Sequence, residues 1–250
     1  MAKQEGLVPI QGTIDNLTFF KRKDGKFFVR KKGGVSAERI KNDPAFIRTR
    51  ENGVEFATAA ASGKLLRRAL HTMMIKGSDD KVNTRLHKIM SKIKNLDSTS
   101  VRGLRNVGVG ITTTAAQALL KKFDLNNNAI LETVLKKAYS VNTSTGVISI
   151  NNLIPLDHVM FPEGATHVTF NGAWLNIDFA NNAYDLQETN AVNMLIDTTV
   201  NNVVLTPVAA PVGTGTNLFL LQLQFFQLIN NVQYSLKTDT TNSLCIIEII

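Results

Sequence analysis

The chain has 250 residues, of which 44% are hydrophobic and 19% charged, so its apolar side chains suffice for a buried core and exclude wholesale disorder. No apolar run reaches the roughly 18 residues of a membrane-spanning helix, and the N-terminus lacks the apolar stretch of a signal peptide, which predicts synthesis in the cytoplasm without fixing the final location. One cysteine, Cys245, excludes an internal disulfide framework and a multi-cysteine zinc site.

The charge is divided unevenly along the chain. Residues 1–137 carry 27 of the 28 Lys and Arg with 12 acids, whereas residues 138–250 carry one Lys and eight acids. Such asymmetry favours two regions with different partners. The second half is rich in Asn, Thr, Val, Ile and Leu, which is typical of strands joined by polar turns. We therefore expect a basic hairpin and helical region over 1–125 and a β-sandwich domain over 126–250, with the boundary near 123–130.

Residues 17–32 predict a β-hairpin around Asp24-Gly25, a dipeptide favoured in type I′ turns because both central residues need positive φ. Four phenylalanines, at 19, 20, 27 and 28, are interleaved with seven cations. These are Lys21, Arg22, Lys23, Lys26, Arg30, Lys31 and Lys32. The pattern fits a stacking surface for single-stranded nucleic acid. It also fits a hairpin whose rings form its own core, with cations that are solvated or meet the acidic half of a neighbouring copy.

Helices are expected next. Asp43-Pro44 predicts a helix start, and Asn52-Gly53 either ends that helix or interrupts it before a second run over 54–76. The third helix, about 80–96, has the clearest apolar face. Its other side carries a basic stripe formed by Lys81, Arg85, Lys88 and Lys92. A shorter helix is expected over about 112–122.

The second half predicts strands without a convincing helix. Asn171-Gly172 indicates a hairpin turn within 168–179. Further strands are expected at 132–139, 146–150, 184–190, 203–206, 218–229, 232–237 and 244–250, of which 218–229 is apolar enough to be central. The fold class is therefore α+β, with an N-terminal basic β-hairpin, a small helical region and a C-terminal antiparallel β-sandwich.

Several segments together carry a resemblance to a known family. They are 3–6, 12–14, 17–21, 42–46, 48–52, 63–67 and 102–106 and, more loosely, 162–167 and 234–237. In these residues the chain resembles a family of proteins of unknown function from Bacteroidota, especially flavobacteria. The resemblance spans nearly the whole chain and is densest before residue 106. It implies no activity and assigns no functional residue.

Motifs for chemistry are weak throughout. The glycine pairs at 108–110 and 213–215 complete no phosphate-binding pattern, and the four histidines show no metal-ligand spacing. Asp178, Asp185 and Glu188 would bind a hard cation only if strand pairing brought them together, and solvated strand faces explain them more simply. Trp174, if exposed, would suit a carbohydrate- or protein-binding module. We therefore expect no enzyme and no cofactor.

The favoured function is a non-enzymatic structural protein that self-assembles into a filament, lattice or shell, with copies of itself as partners and no membrane span. The alternative is a nucleic-acid-binding protein that uses the basic half. An apolar C-terminal strand needs a cover, and opposite charges suit head-to-tail contacts. The expected contacts to an acidic surface or polyanion are the seven hairpin cations with Arg85, Lys88 and Lys92. The expected assembly strand presents Leu244, Ile246, Ile247, Ile249 and Ile250.

Overall fold

The computed structural model of the protein describes residues 2–6, 8–31, 33–236 and 240–250. It forms two compact units, Met1–Arg50 and Glu51–Ile250. The boundary expected near 123–130 falls inside the second unit, where Phe123 pairs with Ile246 in one sheet. The composition changes there because the chain passes from the helical layer to the sheets. Both layers belong to one unit, since their buried side chains share one cluster.

The first unit is built on a four-stranded antiparallel sheet in the order β1-β4-β3-β2. Its strands are β1 (Ala2–Lys3), β2 (Gly12–Ile14), β3 (Leu17–Lys21) and β4 (Phe27–Lys31). The predicted hairpin is β3–β4, but its turn is not type I′. Gly25 has a φ of 82° whereas Asp24 does not have a positive φ. Gly25 N donates to the Arg22 carbonyl at 3.0 Å and Lys26 N to the Asp24 carboxylate at 3.2 Å, which gives a three-residue loop.

Three helical segments follow the sheet: α1 (Ala37–Asn42), a 3₁₀ turn (Pro44–Phe46) and α2 (Ile47–Ala69). The Ser36 and Asp43 side chains cap the first two by accepting backbone N–H groups. Asn52-Gly53 neither ends nor interrupts α2. An exposed mid-helix glycine costs only about 1 kcal/mol, which the buried positions further along α2 offset.

The remaining helices belong to the second unit. They are α3 (His71–Gly77), α4 (Val82–Asn95), α5 (Val107–Gly110), α6 (Thr114–Leu120), α7 (Leu131–Val134) and α8 (Pro155–His158). The expected helix over 54–76 is thus two helices that meet at Leu70. The strand expected over 132–139 is wrong, because the Asp124 carboxylate accepts from Leu131 N at 2.9 Å and fixes the start of α7 instead. No helix of the described residues has the length and apolar character needed to cross a bilayer.

Two antiparallel sheets complete the second unit. The larger contains β5 (Phe123–Asp124), β8 (His167–Asp178), β9 (Ala183–Glu188), β10 (Val192–Leu195), β12 (Thr216–Ile229), β13 (Val232–Ser235) and β14 (Ser243–Ile249). The smaller has the order β11-β7-β6, formed by β6 (Ser140–Val141), β7 (Ile148–Leu153) and β11 (Asn201–Leu205). As predicted, 218–229 is central, since β12 pairs with β8, β14 and β13.

The hairpin expected at Asn171-Gly172 is wrong, because β8 runs straight through both residues and pairs them with β12. A Cβ on Gly172 would lie 2.9 Å from the Ile148 side chain and 3.2 Å from the Leu220 carbonyl. This glycine lets the smaller sheet approach closely, and it does not form a turn.

The large sheet is buried on both faces. Leu175 and Ile177 of β8 face the helices, in a cluster with Leu66, Leu86 and other helical side chains. Phe170 and Trp174 face the smaller sheet, in a second cluster with Ile148 and Val203. The alternation follows from the period of two along a strand. The result is an α+β fold with a sandwich-like β region, as predicted.

Candidate functional site

We call the four-stranded sheet of the first unit, β1–β4, the basic sheet. All described cations of the predicted hairpin set are exposed on it: Lys21, Arg22, Lys23, Lys26, Arg30 and Lys31. Lys32 lies outside the described residues. Within the described part of the chain, no carboxylate lies within ion-pair distance of Lys23, Lys26 or Lys31, and the one ion pair found in this unit joins Arg39 to Asp43. Residues 1–50 hold 12 Lys and Arg against five acids. The basic sheet therefore presents positive charge to its surroundings.

The aromatic rings divide between the two faces of this sheet. Phe20 and Phe28 are directly opposite each other, and their ring centroids are 6.2 Å apart. The Arg22 guanidinium lies 4.4 Å from the centroid of Phe28, and the Arg30 guanidinium lies 5.5 Å from that of Phe20. On the other face, Lys21 Nζ lies 5.5 Å from the centroid of Phe27. Three of the four rings thus have a cation of their own chain over them.

These cation–π contacts explain why cations and rings are interleaved in the sequence. Each contact contributes about 0.5–1 kcal/mol to stability at an exposed site. The contacts therefore stabilise the small sheet while its cationic groups stay at the surface. A base stacking on Phe20 or Phe28 would have to move an arginine first. The sheet therefore presents positive charge to a partner, whereas the Phe20 and Phe28 rings are already in contact with arginines.

The basic stripe of α4 is only partly available to a partner. Lys81, Lys88 and Lys92 are exposed. Arg85, a predicted contact, forms an ion pair with Asp79 and donates to the carbonyls of Asp124 and Leu125 at 2.7 and 3.2 Å. Its guanidinium holds α4 to the strand that follows α6, so it is a structural residue. Helical spacing placed it on the stripe but could not show this tertiary contact.

Asp178, Asp185 and Glu188, the candidate cation ligands of the β region, each form a separate contact. Asp178 accepts from Asn181, Asp185 accepts from Val212 N at 2.7 Å, and Glu188 accepts from the Thr72 hydroxyl at 2.9 Å. No cluster of three His, Cys, Asp or Glu suited to a metal ion occurs among the described residues. Hydrogen bonds from Asn181 lower the pKa of Asp178, so this surface carboxylate is ionised at neutral pH.

The predicted assembly strand is an internal strand of its own chain. β14 pairs with β12 on one side and with β5 on the other. Leu244, Ile246 and Ile249 enter the cluster beneath the helices, and Ile247 enters the cluster against the smaller sheet. Only Ile250 of the predicted set is exposed. The apolar run is covered by its own fold, because the large sheet has an apolar layer on each face.

The remaining sequence candidates pack within the fold. Trp174 is buried, and its Nε1 donates to the Asn217 side chain at 3.0 Å, so it provides no carbohydrate platform. A Cβ on Gly110 would lie 2.1 Å from the Ile93 carbonyl, and one on Gly215 would lie 2.3 Å from the Ile177 carbonyl. Both glycines allow close backbone contacts. Burial raises the pKa of the Cys245 thiol and makes it a poor nucleophile.

Two residues that the sequence analysis missed organise the helical layer. Glu55 is buried in an ion pair with Lys94 at 2.5 Å, and it also accepts from Gly103 N at 2.8 Å. Arg105 approaches the same carboxylate at 3.6 Å. The hydrogen bond from Lys94 holds the pKa of Glu55 below its ordinary value. A signal existed, since Lys94 lies beside Met90 and Ile93 on the buried side of α4.

A cavity of about 570 Å³ lies at the start of α4. Its lining balances two acids, Asp79 and Asp80, against two cations, Lys81 and Arg85, and the acid–cation pair Asp79–Arg85 is already formed.

Comparison with protein-family models, with curated proteins and with solved structures found no match to this chain. The resemblance to the Bacteroidota family therefore stays a prediction.

Proposed function

We propose that this is a non-enzymatic structural protein that assembles with copies of itself, and that its basic sheet contacts the acidic β region of a neighbouring copy. The observation that carries the proposal is the separation of exposed charge. Exposed cations are concentrated on the basic sheet, whereas the β region, residues 138–250, holds eight acids and one lysine.

The acids of the β region are available for such a contact. Within the described residues, Asp157, Glu163 and Asp185 lie in no ion pair, and Asp157 and Glu163 are exposed. Residues 138–250 hold eight acids and one lysine. A contact between unlike surfaces of identical copies is heterologous, which gives a ring when the rotation closes and an open filament when it does not. Charge separation along one chain is therefore compatible with both geometries.

The magnitude of the contact depends on how many pairs form. One exposed ion pair contributes about 0–1 kcal/mol, so a single pair would not hold two copies together. Several cations on one sheet act together and also steer the encounter of the two copies. Screening is strong, because the Debye length falls from about 10 Å at 0.1 M salt to about 3 Å at 1 M. Assembly through this surface should weaken as salt rises.

The test is the triple variant Lys23→Glu, Lys26→Glu, Lys31→Glu. None of these side chains lies over a ring, so the sheet should keep its fold. The matched control, Lys64→Glu, Arg68→Glu, Lys76→Glu, makes the same change of charge at exposed positions of the second unit. Light scattering in nucleic-acid-free buffer should show that the first variant loses assembly and the control keeps most of it. Equal loss in both would point to net charge alone and contradict the proposed contact.

A second candidate function is nucleic-acid binding, favoured by one feature of the basic sheet. Arg22 and Arg30 have their guanidinium groups held against rings, which presents them in fixed positions for phosphates. In that case the protein should purify with a high ratio of absorbance at 260 nm to that at 280 nm. The triple variant would then lose polynucleotide affinity in an anisotropy titration while assembling normally. The triple variant and its matched control therefore distinguish self-assembly from nucleic-acid binding.

A further inference from the structure

The hairpin formed by β12 and β13 extends beyond the rest of the large sheet. β8 pairs with β12 only as far as His167 opposite Phe226, whereas β13 pairs with β12 from Phe226 to Ile229. Asn230 and Asn231 join the two strands with φ values of 50° and 63°. Positive φ at both positions is the type I′ turn that matches strand twist, so the hairpin is well defined. All four residues of β13 are exposed.

One edge of β13 is open among the described residues, since its pairing there is with β12 alone. Residues of an antiparallel strand direct their backbone groups alternately to either side. Leu236 N donates to the Phe225 carbonyl of β12 at 2.8 Å. By alternation, Tyr234 also faces β12, and Gln233 and Ser235 direct their N–H and C=O groups to the open edge. These backbone groups can accept another strand.

The chemistry of this edge is unusual for an open strand. Proteins usually protect such edges with charged side chains, proline or a bulge. Residues 226–236 contain no charged residue and no proline. Ile229, Val232 and Tyr234 are exposed by roughly half, and the register places all three on one face of the hairpin. A charged partner would gain nothing here, whereas two copies of the hairpin meet without repulsion between like charges.

We propose that β13 pairs antiparallel with β13 of a second copy, across a two-fold axis at Tyr234, and joins the two large sheets into one. This inference rests on the proposed self-assembly and gives it a second, uncharged contact. In this register Gln233 of each copy exchanges backbone hydrogen bonds with Ser235 of the other. Tyr234 lies opposite Tyr234 of the second copy as a non-hydrogen-bonded pair. The contact is isologous, so it complements a heterologous charge contact and allows growth in two directions.

Disulfide trapping tests the register directly. Facing residues of a non-hydrogen-bonded pair have Cα atoms about 4.5 Å apart, within the range that a disulfide spans. The variant Tyr234→Cys should therefore give a covalent dimer under mild oxidation. Val204→Cys is the matched control, because Val204 is exposed to a similar extent on the smaller sheet. Cys245 is buried and does not interfere. Equal cross-linking of both variants, or of neither, would overturn the inference.

A charge-swap experiment gives an independent readout. Tyr234→Lys and Tyr234→Glu each place like charges opposite one another at the axis, so each variant alone should lose the contact. A 1:1 mixture should regain it, because Lys then faces Glu. Only a pairing that brings position 234 against itself predicts this rescue. Circular dichroism of each variant checks that its fold is intact, and mixing without any rescue would contradict the proposal.

Ionic strength separates this inference from the proposed function. Trapping of Tyr234→Cys should persist at about 1 M salt, where charge contacts are screened. Assembly at low salt without trapping at any salt concentration would refute the β13 contact and leave the charge contact standing. Trapping at all salt concentrations with a basic-sheet triple variant that assembles normally would refute the charge contact alone. A protein that is monomeric and untrapped under all conditions would refute both.

Discussion

The first unit contains one buried hydrophobic side chain among its described residues, that of Phe28, whereas the second unit contains two large clusters on either face of one sheet. The first unit is therefore stabilised by strand pairing, helix caps and cation–π contacts, and the second by burial. A small sheet without a second layer is of marginal stability. The first unit thus exposes charge and buries little, whereas the second unit buries two large apolar clusters.

Removal of residues 244–250 should have the largest effect on the second unit. The truncation deletes apolar side chains from both clusters, among them Leu244, Ile246 and Ile247. At about 1.5–3 kcal/mol for each fully buried side chain, the loss rivals a domain stability of about 5–15 kcal/mol. The truncated protein should be insoluble or unfolded by circular dichroism. A soluble product that still unfolds cooperatively would show that β14 is dispensable.

The next largest effect should come from the buried ion pair of the second unit. Lys94→Met leaves the Glu55 carboxylate buried without its main partner, which should cost about 3–5 kcal/mol. The matched change in the first unit is Arg39→Met, which breaks the exposed pair with Asp43 at 2.9 Å. This second change should cost far less, because an exposed ion pair is screened by solvent and contributes little to stability. Denaturant unfolding of both variants measures the contrast, and similar losses would contradict it.

Acid should destabilise the second unit through Glu55 and Asp97. Burial alone would raise the pKa of Asp97, but hydrogen bonds from Ser100, Asn106 and Thr99 outweigh it and lower the pKa. Because both carboxyls have a lower pKa folded than unfolded, their stabilisation is complete above the unfolded pKa of about 4 and is lost as pH falls through the folded values. Asp124 acts oppositely, since burial raises its pKa. Thermal melts against pH should fall on the acid side, and Glu55→Gln should flatten that slope.

The smallest effect should come from the basic sheet of the first unit. Arg30→Gln removes the cation from the Phe20 ring and should cost about 0.5–1 kcal/mol. Amide hydrogen exchange would show faster exchange in β3 and β4 with no change in the second unit. Slower exchange, or a change confined to the second unit, would show that the cation–π contact does not support the sheet.

The fold class and most strands were predictable because period-two patterns and turn residues report local structure. The basic hairpin, the apolar face of α4 and the central strand β12 are examples. The errors arise where tertiary contacts, and not the local sequence, determine the local structure. Gly172 favours a turn locally, but its missing side chain admits the smaller sheet.

The candidate site was predictable only in part, for the same reason. The exposed cations of the basic sheet follow from the sequence, whereas the ion pair of Arg85 with Asp79 depends on a contact with the chain at 124–125 that helical spacing does not contain. The open edge of β13 likewise depends on which strands pair with it, and strand pairing is not a local property of the sequence.

Sedimentation velocity on the 250-residue chain over a range of concentrations, at about 0.1 M and about 1 M salt, measures self-assembly through the basic sheet. We expect species larger than the monomer whose fraction grows with concentration and falls markedly at the higher salt, where the Debye length is about 3 Å. A single monomeric species at every concentration and both salt concentrations would contradict self-assembly and the role given to the basic sheet.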